Sequence, residues 1–484
     1  MAGRQCFPRP IEFLPYNNRM LDTTTKLRSQ VPRSGWVRHF FSERDIWVAV
    51  CSGTVHPSGK AAKGNVIQSE QMGGRNSERQ RSVTAEFEGP QNGGSGYRVL
   101  VICNDGAYFL RHRLSVVTHL TSIGVDVTVI AGGNLIPAES IQGWKYIHVP
   151  IERFKFDPMG DAALMIRTAR TIHAFKPHAV HLVTLKPAIF SGFVSIVSRF
   201  LEAYPKQILI TLPGLGRMMS LPKAPGQRRY PVASALTLLA FRMLSRRDYV
   251  HFTFETRHDC EFWADRGIAN DRNSSLIEGA GVDPNLFYPL GTPRSSRTTK
   301  VLFASRLLKS KGLSTFLMVA HDLAHRSDVE FIVAGVPDDH DPDAIPHRDL
   351  EQMTEIRFLG HVRDMPNLLR QCDIVCLPTR YGEGIPRILI EAAATGLASI
   401  ASSHPGCREA VEDGVTGQIL SATSDTEMRR ELSGAIVGYL ESPDLLKEHK
   451  QAAYRHFQSR EFNQPAIADR FTKLLGVPAS PSLD

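Results

Sequence analysis

The chain has 484 residues, a hydrophobic fraction of 42% and a formal net charge of +8. That length supports two domains of ordinary size plus an appendage, and that apolar fraction excludes wholesale disorder. The modest basic excess suits anionic partners such as nucleotides, phosphorylated lipids or a membrane surface; no zinc-finger spacing or RNA-binding signature accompanies it, so nucleic acid is not expected.

Residues 1–96 are rich in Arg, Ser, Gly and Pro and show weak periodicity, and GPQNGGSG (89–96) reads as a flexible linker. The expectation for 1–96 is a disordered or loosely attached extension. Periodicity begins at Tyr97. YRVLVICN is a buried strand, 109–122 has helical spacing, and VDVTVIAG (125–132) is a second buried strand. The alternation continues with a helix near 160–175, a strand at 179–185, a helix near 188–201 and a strand at 207–212. A helix near 232–246, a strand at 249–254, a helix to about 266 and a strand at 274–277 complete this series. GVDPNLFYPLGTPRSSRTT, dense in Gly, Pro and Ser, reads as a connection between domains.

A second alternation starts at Lys300. Strands are expected at 300–305, 329–335, 356–360, 373–378 and 398–402. Helices are expected near 312–325, 364–370 and 386–395, with a last helix at about 463–475. Apolar strands alternating with helices mean parallel sheets covered on both faces. The expected fold class is therefore α/β with two doubly wound, Rossmann-like domains facing across a cleft. The expected segments are an extension (1–96), a first domain (97–285), a second domain (297–460), a C-terminal helix (461–475) and a tail (476–484). Ligands in such folds lie outside the carboxyl ends of the strands.

The seven cysteines are odd in number and scattered, which argues against a disulfide framework and for a reducing compartment. Cys372 and Cys376 sit in the apolar run CDIVCLP and read as core residues. There is no apolar run of about 20 residues to cross a membrane, and MAGRQCFPRPIEF lacks the apolar core of a secretory signal.

Two local patterns carry chemistry. In EGIPRILIE, Glu383 and Glu391 stand eight positions apart across a loop and the following helix. Pro386 suits the first helical turn. The free N–H groups of that turn, with the positive end of the helix dipole, form an anion site, and Gly382 and Gly384 permit close backbone approach. Spacing alone supports a solvated helix start as well as it supports a ligand site. The second pattern is Ser305-Arg306-Leu307 with Lys309, Lys311 and Gly312, after a strand. Arg offers phosphate a planar fork and Lys a compact charge; a solvated basic loop is the competing reading.

Together these patterns resemble the retaining family 4 glycosyltransferases, which have the GT-B fold. The similar pieces are GVDPNLFYP (281–289), FASRLLKSKG (303–312), FLGHVRDMPNLLRQCDIVCLPT (358–379), the E-x7-E segment and EAAATGLASIASSHPGCREAVEDGVTG (391–417). The resemblance covers roughly residues 97 to 475. It implies that Arg306 and Lys311 hold the donor diphosphate, that Glu383 contacts the transferred sugar, that Gly384, Ile385 and Pro386 shape the phosphate site, and that Glu391 binds the ribose. Glu383, Arg306 and Lys311 are thereby the expected catalytic set. EGIP stands where many members have EPFG.

The first domain should supply acceptor contacts. CNDGAYFLRHR (103–113), HLVTLKPAIFSG (181–192) and TLPGLG (211–216) resemble the subgroup acting in bacterial surface-polysaccharide and lipid-linked-oligosaccharide assembly. His112, Arg113, Lys186 and Gly214 are the expected acceptor-side residues. Val183 stands where many members place a histidine near the sugar. The stretch from Arg217 to Arg247 contains Arg217, Lys223, Arg228, Arg229, Arg242, Arg246 and Arg247 among apolar residues, without an acid between them. That mixture suits docking on an anionic leaflet.

The resemblance implies front-face transfer of a hexose or N-acetylhexosamine from a nucleotide sugar, UDP-linked, to a polyprenyl-diphosphate-linked glycan, with no cofactor and no obligatory metal. It places the protein in the cytoplasm, peripheral on the inner face of the cell membrane. The competing functions are a sugar-nucleotide epimerase on the same fold and a non-catalytic nucleotide-sugar or phospholipid binding module. A dehydrogenase is disfavoured because neither first strand leads into G-x-G-x-x-G.

Overall fold

The computed structural model describes residues 36–41, 44–49 and 86–88 as strands and residues 96–478 in detail, apart from 134, 152–156, 215–230, 292–297, 338–340, 342, 381 and 383. The chain forms two compact units, Met1–Gly74 and Arg75–Asp484. In the first, β1 (Trp36–Phe41) pairs antiparallel with β2 (Arg44–Ala49). The remainder of the expected extension, the linker apart from Gly96 and the end of the tail lie outside the described residues.

The second unit contains two sheets. Its first sheet has the order β10-β9-β8-β7-β4-β5-β6-β3. It is built from β3 (Glu86–Glu88), β4 (Arg98–Cys103), β5 (Asp126–Ala131), β6 (Lys145–His148), β7 (Ala179–Val183), β8 (Gln207–Leu212), β9 (Val250–Phe254) and β10 (Ser274–Leu276). Only the edge pair β3–β6 is antiparallel. The strands are covered by α1 (Gly106–His112), α2 (Leu114–Ser122), α3 (Pro158–Phe175), α4 (Leu185–Glu202), α5 (Pro231–Ser245) and α6 (Arg257–Ala264). Strands such as β7 are buried at every position, as parallel strands sandwiched between helices must be.

The second sheet is fully parallel, with the order β13-β12-β11-β14-β15-β16. Its strands are β11 (Thr299–Ala304), β12 (Val329–Ala334), β13 (Arg357–Gly360), β14 (Ile374–Leu377), β15 (Ala398–Ser402) and β16 (Gly417–Leu420). They alternate with α7 (Leu313–Asp322), α8 (His347–Glu351), α9 (Met365–Arg370), α10 (Arg387–Ala394), α11 (Pro405–Ala410) and α12 (Asp425–Glu441). α13 (Pro443–Ser459) and α14 (Gln464–Leu474) follow. Strand order turns back at β4/β7 in one sheet and at β11/β14 in the other, and those crevices are where ligands bind in such folds.

Three local departures from the sequence reading have physical causes. The helix expected over 109–122 is two helices, α1 and α2, because Arg113 leaves helical geometry (φ −134°, ψ −9°) and caps the end of one and the start of the other. β6 and β16 are four residues each and only partly buried, too short for a period to register. α10 begins at Arg387 with Pro386 as its N-cap, one residue later than expected.

The C-terminal helix ties the two sheets together. The chain leaves the second domain at Phe462, where Val282 N–H donates to the Phe462 carbonyl and Gln464 N–H to the Val282 carbonyl. α14 then inserts Ile467 and Phe471, with Leu475 beyond it, into the first-domain core beside Val99, Val101 and Leu120. Tyr97 Oη donates to the Leu475 carbonyl at 2.7 Å. Phe471 also lies 5.2 Å beneath the Arg113 guanidinium and 5.1 Å from the His181 ring. Truncating a fully buried Phe typically costs 3–5 kcal/mol, so Phe471→Ala should lower stability by about 4 kcal/mol. Denaturant unfolding measures this, and an unchanged midpoint would show that α14 does not complete the core.

Candidate functional site

The loop after β11 carries two expected phosphate ligands. Leu307 and Leu308 bury their side chains, and a 3-10 turn at Lys309–Lys311 leads to Gly312 and α7. Gly312 has φ +82°, and a Cβ there would lie 2.1 Å from the Pro378 carbonyl oxygen, so only glycine allows the loop to pass this close to the end of β14. The loop is held on both sides. Lys309 N–H donates to the Asp343 carbonyl at 3.0 Å, and Ser310 N–H to Asp343 Oδ2 at 2.6 Å. The Ser310 carbonyl accepts from Arg380 N–H at 2.7 Å. Arg306 is half-buried at the strand end. Lys311 is 5% exposed, so its ammonium is screened from bulk water, where an anion interacts with it more strongly than at the surface.

The E-x7-E segment lies at the carboxyl end of β14, the neighbour of β11. Glu383 lies outside the described residues, whereas Gly384, Ile385 and Pro386 are all buried. Ile385 joins the core of the second domain, and Pro386 has no N–H. The side chains of 385 and 386 therefore shape the loop from within. The Gly384 N–H donates to the Pro213 carbonyl of the first domain at 2.9 Å. A Cβ at 384 would sit 2.2 Å from Glu255 Oε2 and 2.5 Å from the Pro213 oxygen. At this position the second domain thus meets the first with backbone.

Glu391 lies on α10 with 12% of its side chain exposed. Arg387 Nε, one turn earlier, donates to Glu391 Oε1 at 2.8 Å. Burial pushes the Glu391 carboxyl up from its ordinary range, and the Arg387 charge and hydrogen bond oppose that shift. Arg387 Nη1 also donates to the carbonyl of Arg111 in the first domain. Arg387 escaped the sequence reading; it sits between two glutamates in a helix start, where a basic residue four before Glu391 is the available signal.

The first-domain residues separate. His112 is half-buried and stacks on Tyr108 at 4.2 Å. Gly214 has φ +139° and follows Pro213, beside the Gly384 contact. Arg113 is 1% exposed and donates to Glu255 Oε1 at 3.3 Å and to the His112 carbonyl at 2.7 Å. A guanidinium buried this deeply is a structural partner of Glu255. Lys186 likewise gives its ammonium to the buried Asp161, 2.9 Å away, which fixes the start of α4 against α3. His181, two residues before Val183, turns inward and hydrogen-bonds Thr211 Oγ1 at 2.8 Å. Burial, with the Arg113 charge, holds its imidazole well below the usual range. Glu255 and Asp259 were not singled out from the sequence. Burial pushes Asp259 up to about 7, with the hydrogen bond from Thr256 opposing and the Glu255 charge adding to the rise.

Comparison with known proteins follows this geometry. Residues 298–441, from the start of β11 to the end of α12, match the family described as glycosyl transferases group 1. The Campylobacter jejuni N,N'-diacetylbacillosaminyl-diphospho-undecaprenol alpha-1,3-N-acetylgalactosaminyltransferase is 27% identical over 257 residues, covering 50% of this chain and 63% of that protein. The Mycolicibacterium smegmatis phosphatidyl-myo-inositol mannosyltransferase is 32% identical over 173 residues, 34% of this chain and 42% of that protein. The chain thus spans less than two thirds of the length of either relative. Among solved structures, a glycosyltransferase from Rickettsia africae superposes with a TM-score of 0.60 at 16% identity, over 79% of this chain and 99% of that one. HepE of Anabaena, solved with UDP, gives a TM-score of 0.60 at 18% identity, over 79% of this chain and all of that one. The two sheets thus have the GT-B fold of these solved structures, and the segment that forms the second sheet is similar to the glycosyl transferases group 1 family.

Proposed function

We propose that this protein is a retaining glycosyltransferase. It moves a hexose or N-acetylhexosamine from a nucleotide sugar, UDP-linked, to a polyprenyl-diphosphate-linked glycan in bacterial surface-polysaccharide assembly. The observation that carries the reading is the juxtaposition at the carboxyl ends of β11 and β14. The loop with Arg306 and Lys311 and the helix start with Glu391 lie on adjacent strands and face the β8 end of the first domain through the Gly384–Pro213 contact. The two relatives, one named for an undecaprenol-diphosphate-linked acceptor and the other for a phosphatidylinositol acceptor, support a lipid-linked acceptor here.

The step breaks the bond between the anomeric carbon and the donor phosphate oxygen and forms one to the acceptor oxygen on the same face. The acceptor proton passes to the departing phosphate, so no protein nucleophile is used. Arg306, Lys311 and the first turn of α10 stabilise the negative charge that grows on the diphosphate. Glu391 accepts hydrogen bonds from the ribose, and Glu383 contacts the sugar. The two domains hold donor and acceptor in line, and that alignment is itself a large part of the rate. Neither cofactor nor metal enters this proposal.

Two substitutions test it. Glu383→Ala should abolish transfer while the protein stays folded, and Arg306→Ala should raise the barrier by about 3 kcal/mol, the loss of one fixed donor to a developing charge. Both are read by nucleotide release from a panel of nucleotide sugars, with and without polyprenyl-linked acceptors. Full activity of Glu383→Ala overturns the site. Conversion of the donor to an epimeric nucleotide sugar without any acceptor makes the protein an epimerase, and binding without release or conversion makes it a binding module.

The same reading places the protein on the inner face of the cytoplasmic membrane. Arg217, Lys223, Arg228 and Arg229 lie outside the described residues, but Arg242, Arg246 and Arg247 are exposed at the end of α5. The outer faces of α4 and α5, which pack together, leave Phe193, Phe200 (88% exposed), Leu201, Leu236 and Leu239 in solvent. Apolar side chains beside arginines fit an anionic lipid surface; among the described residues no helix is long and apolar enough to cross a membrane. At about 1 kcal/mol per basic residue, replacing the three arginines with Ala should weaken binding to phosphatidylglycerol vesicles roughly a hundredfold. Sedimentation with such vesicles, against neutral phosphatidylcholine, measures it, and equal binding by both proteins overturns the docking face.

A further inference from the structure

The carbonyls at the end of α1 are taken by two arginines from different directions. Arg113 Nη1, from within the first domain, donates to the His112 carbonyl at 2.7 Å. Arg387 Nη1, from the second domain, donates to the Arg111 carbonyl. The last carbonyls of a helix have no partner inside it and carry the negative end of its dipole, so a guanidinium is a fitting partner. Arg387 is not only a cap. Its Nε is 2.8 Å from Glu391 Oε1, and the planar fork of arginine can hold both acceptors at once where a lysine ammonium cannot match the geometry. One side chain therefore spans from the glutamate at the donor site to a helix end of the opposite domain. Three-quarters of it is shielded from solvent, which strengthens both contacts relative to a surface pair.

We propose that Arg387 is an interdomain positioning residue, which fixes the Glu391 carboxylate for the donor and closes the second domain onto the carboxyl end of α1. The proposal rests on the reading of Glu391 as a donor ligand, because only then does the Arg387–Glu391 bond orient a substrate contact. It assigns two separable tasks to one guanidinium. Orienting Glu391 governs how tightly the nucleotide is held. Reaching Arg111 governs how the acceptor domain is set against the donor, which shows in turnover.

The experiment compares the full chain with Arg387→Met, which keeps length and loses both bonds, and with Arg387→Lys, which retains a charge for Glu391 but not the fork. UDP, GDP and ADP are titrated against each by calorimetry, and kcat and donor KM are measured. Arg387→Met should bind the preferred nucleotide about tenfold more weakly, equivalent to about 1.4 kcal/mol, and lose turnover. Arg387→Lys should recover most of the nucleotide affinity while kcat stays low. Hydrogen exchange of the unliganded proteins gives a reading that needs no substrate: amides of residues 109–114 should exchange faster in both variants.

Unchanged nucleotide affinity and kcat in Arg387→Met, or unchanged exchange at 109–114, overturns the proposal. So does a fall in melting temperature without any change in kcat or KM per folded molecule, which is the mark of a purely structural residue. If the unaltered protein binds none of the three nucleotides, the donor-site reading fails instead, and the exchange result alone then decides whether Arg387 ties the domains together.

Discussion

Glu255 has one carboxylate oxygen on the Arg113 guanidinium and its other oxygen where a side chain at position 384 would have to be. The approach of the two domains follows from this constraint. A glycine at 384 lets the loop before α10 lie against the first domain, and its N–H finds the Pro213 carbonyl there. Arg113, in turn, is fixed between Glu255, the His112 carbonyl and the Phe471 ring. Breaking a buried ion pair by removing one partner typically costs 3–5 kcal/mol, because the remaining charge is stranded. The pair and the glycine are therefore coupled: the charge pair stays dry because the loop covers it, and the loop sits where it does because Glu255 is held back by Arg113.

Phe471 extends that coupling to the end of the chain. It belongs to α14, which follows the second domain in sequence but completes the first-domain core. Residues 281–287 and 462–464, paired through Val282, Phe462 and Gln464, form the two crossings between domains. Two crossings side by side permit a hinge, while α14 sets which face of the first domain turns toward the cleft.

The fold was legible where one element suffices to declare itself. β4, β7 and β14 are continuous apolar runs, and the alternation with helices gave two parallel sheets before any contact was known. The loop at 305–312 was legible because a basic cluster after a buried strand has few placements. What escaped depends on partners far away in sequence. Nothing near Arg113 says that Glu255, 142 positions on, will bury it; nothing near Lys186 announces Asp161. A strand end carrying Lys or Arg reads as a ligand contact until a buried carboxylate is found within reach. Arg387 failed in the opposite sense: it looked like an ordinary helix residue, because its second acceptor is a backbone carbonyl 276 positions earlier.

These long-range pairings bear on how transfer chemistry is organised. A reaction in which the leaving group takes the acceptor's proton requires no base on the protein, so the protein's contribution is concentrated in placement and in charge stabilisation. Under the proposed function the cations for the leaving group would belong to the second domain and the acceptor to the first, so rate would be sensitive to the seam between them. Among the described residues the seam includes short polar contacts: Gly384 to Pro213, Arg387 to Arg111, and Arg257 N–H to Glu409 at 3.1 Å. Individual hydrogen bonds contribute only about 1 kcal/mol each net. A few such contacts allow opening for substrate exchange, yet they fix geometry once closed, which an apolar interface of the same extent would do with less directional control.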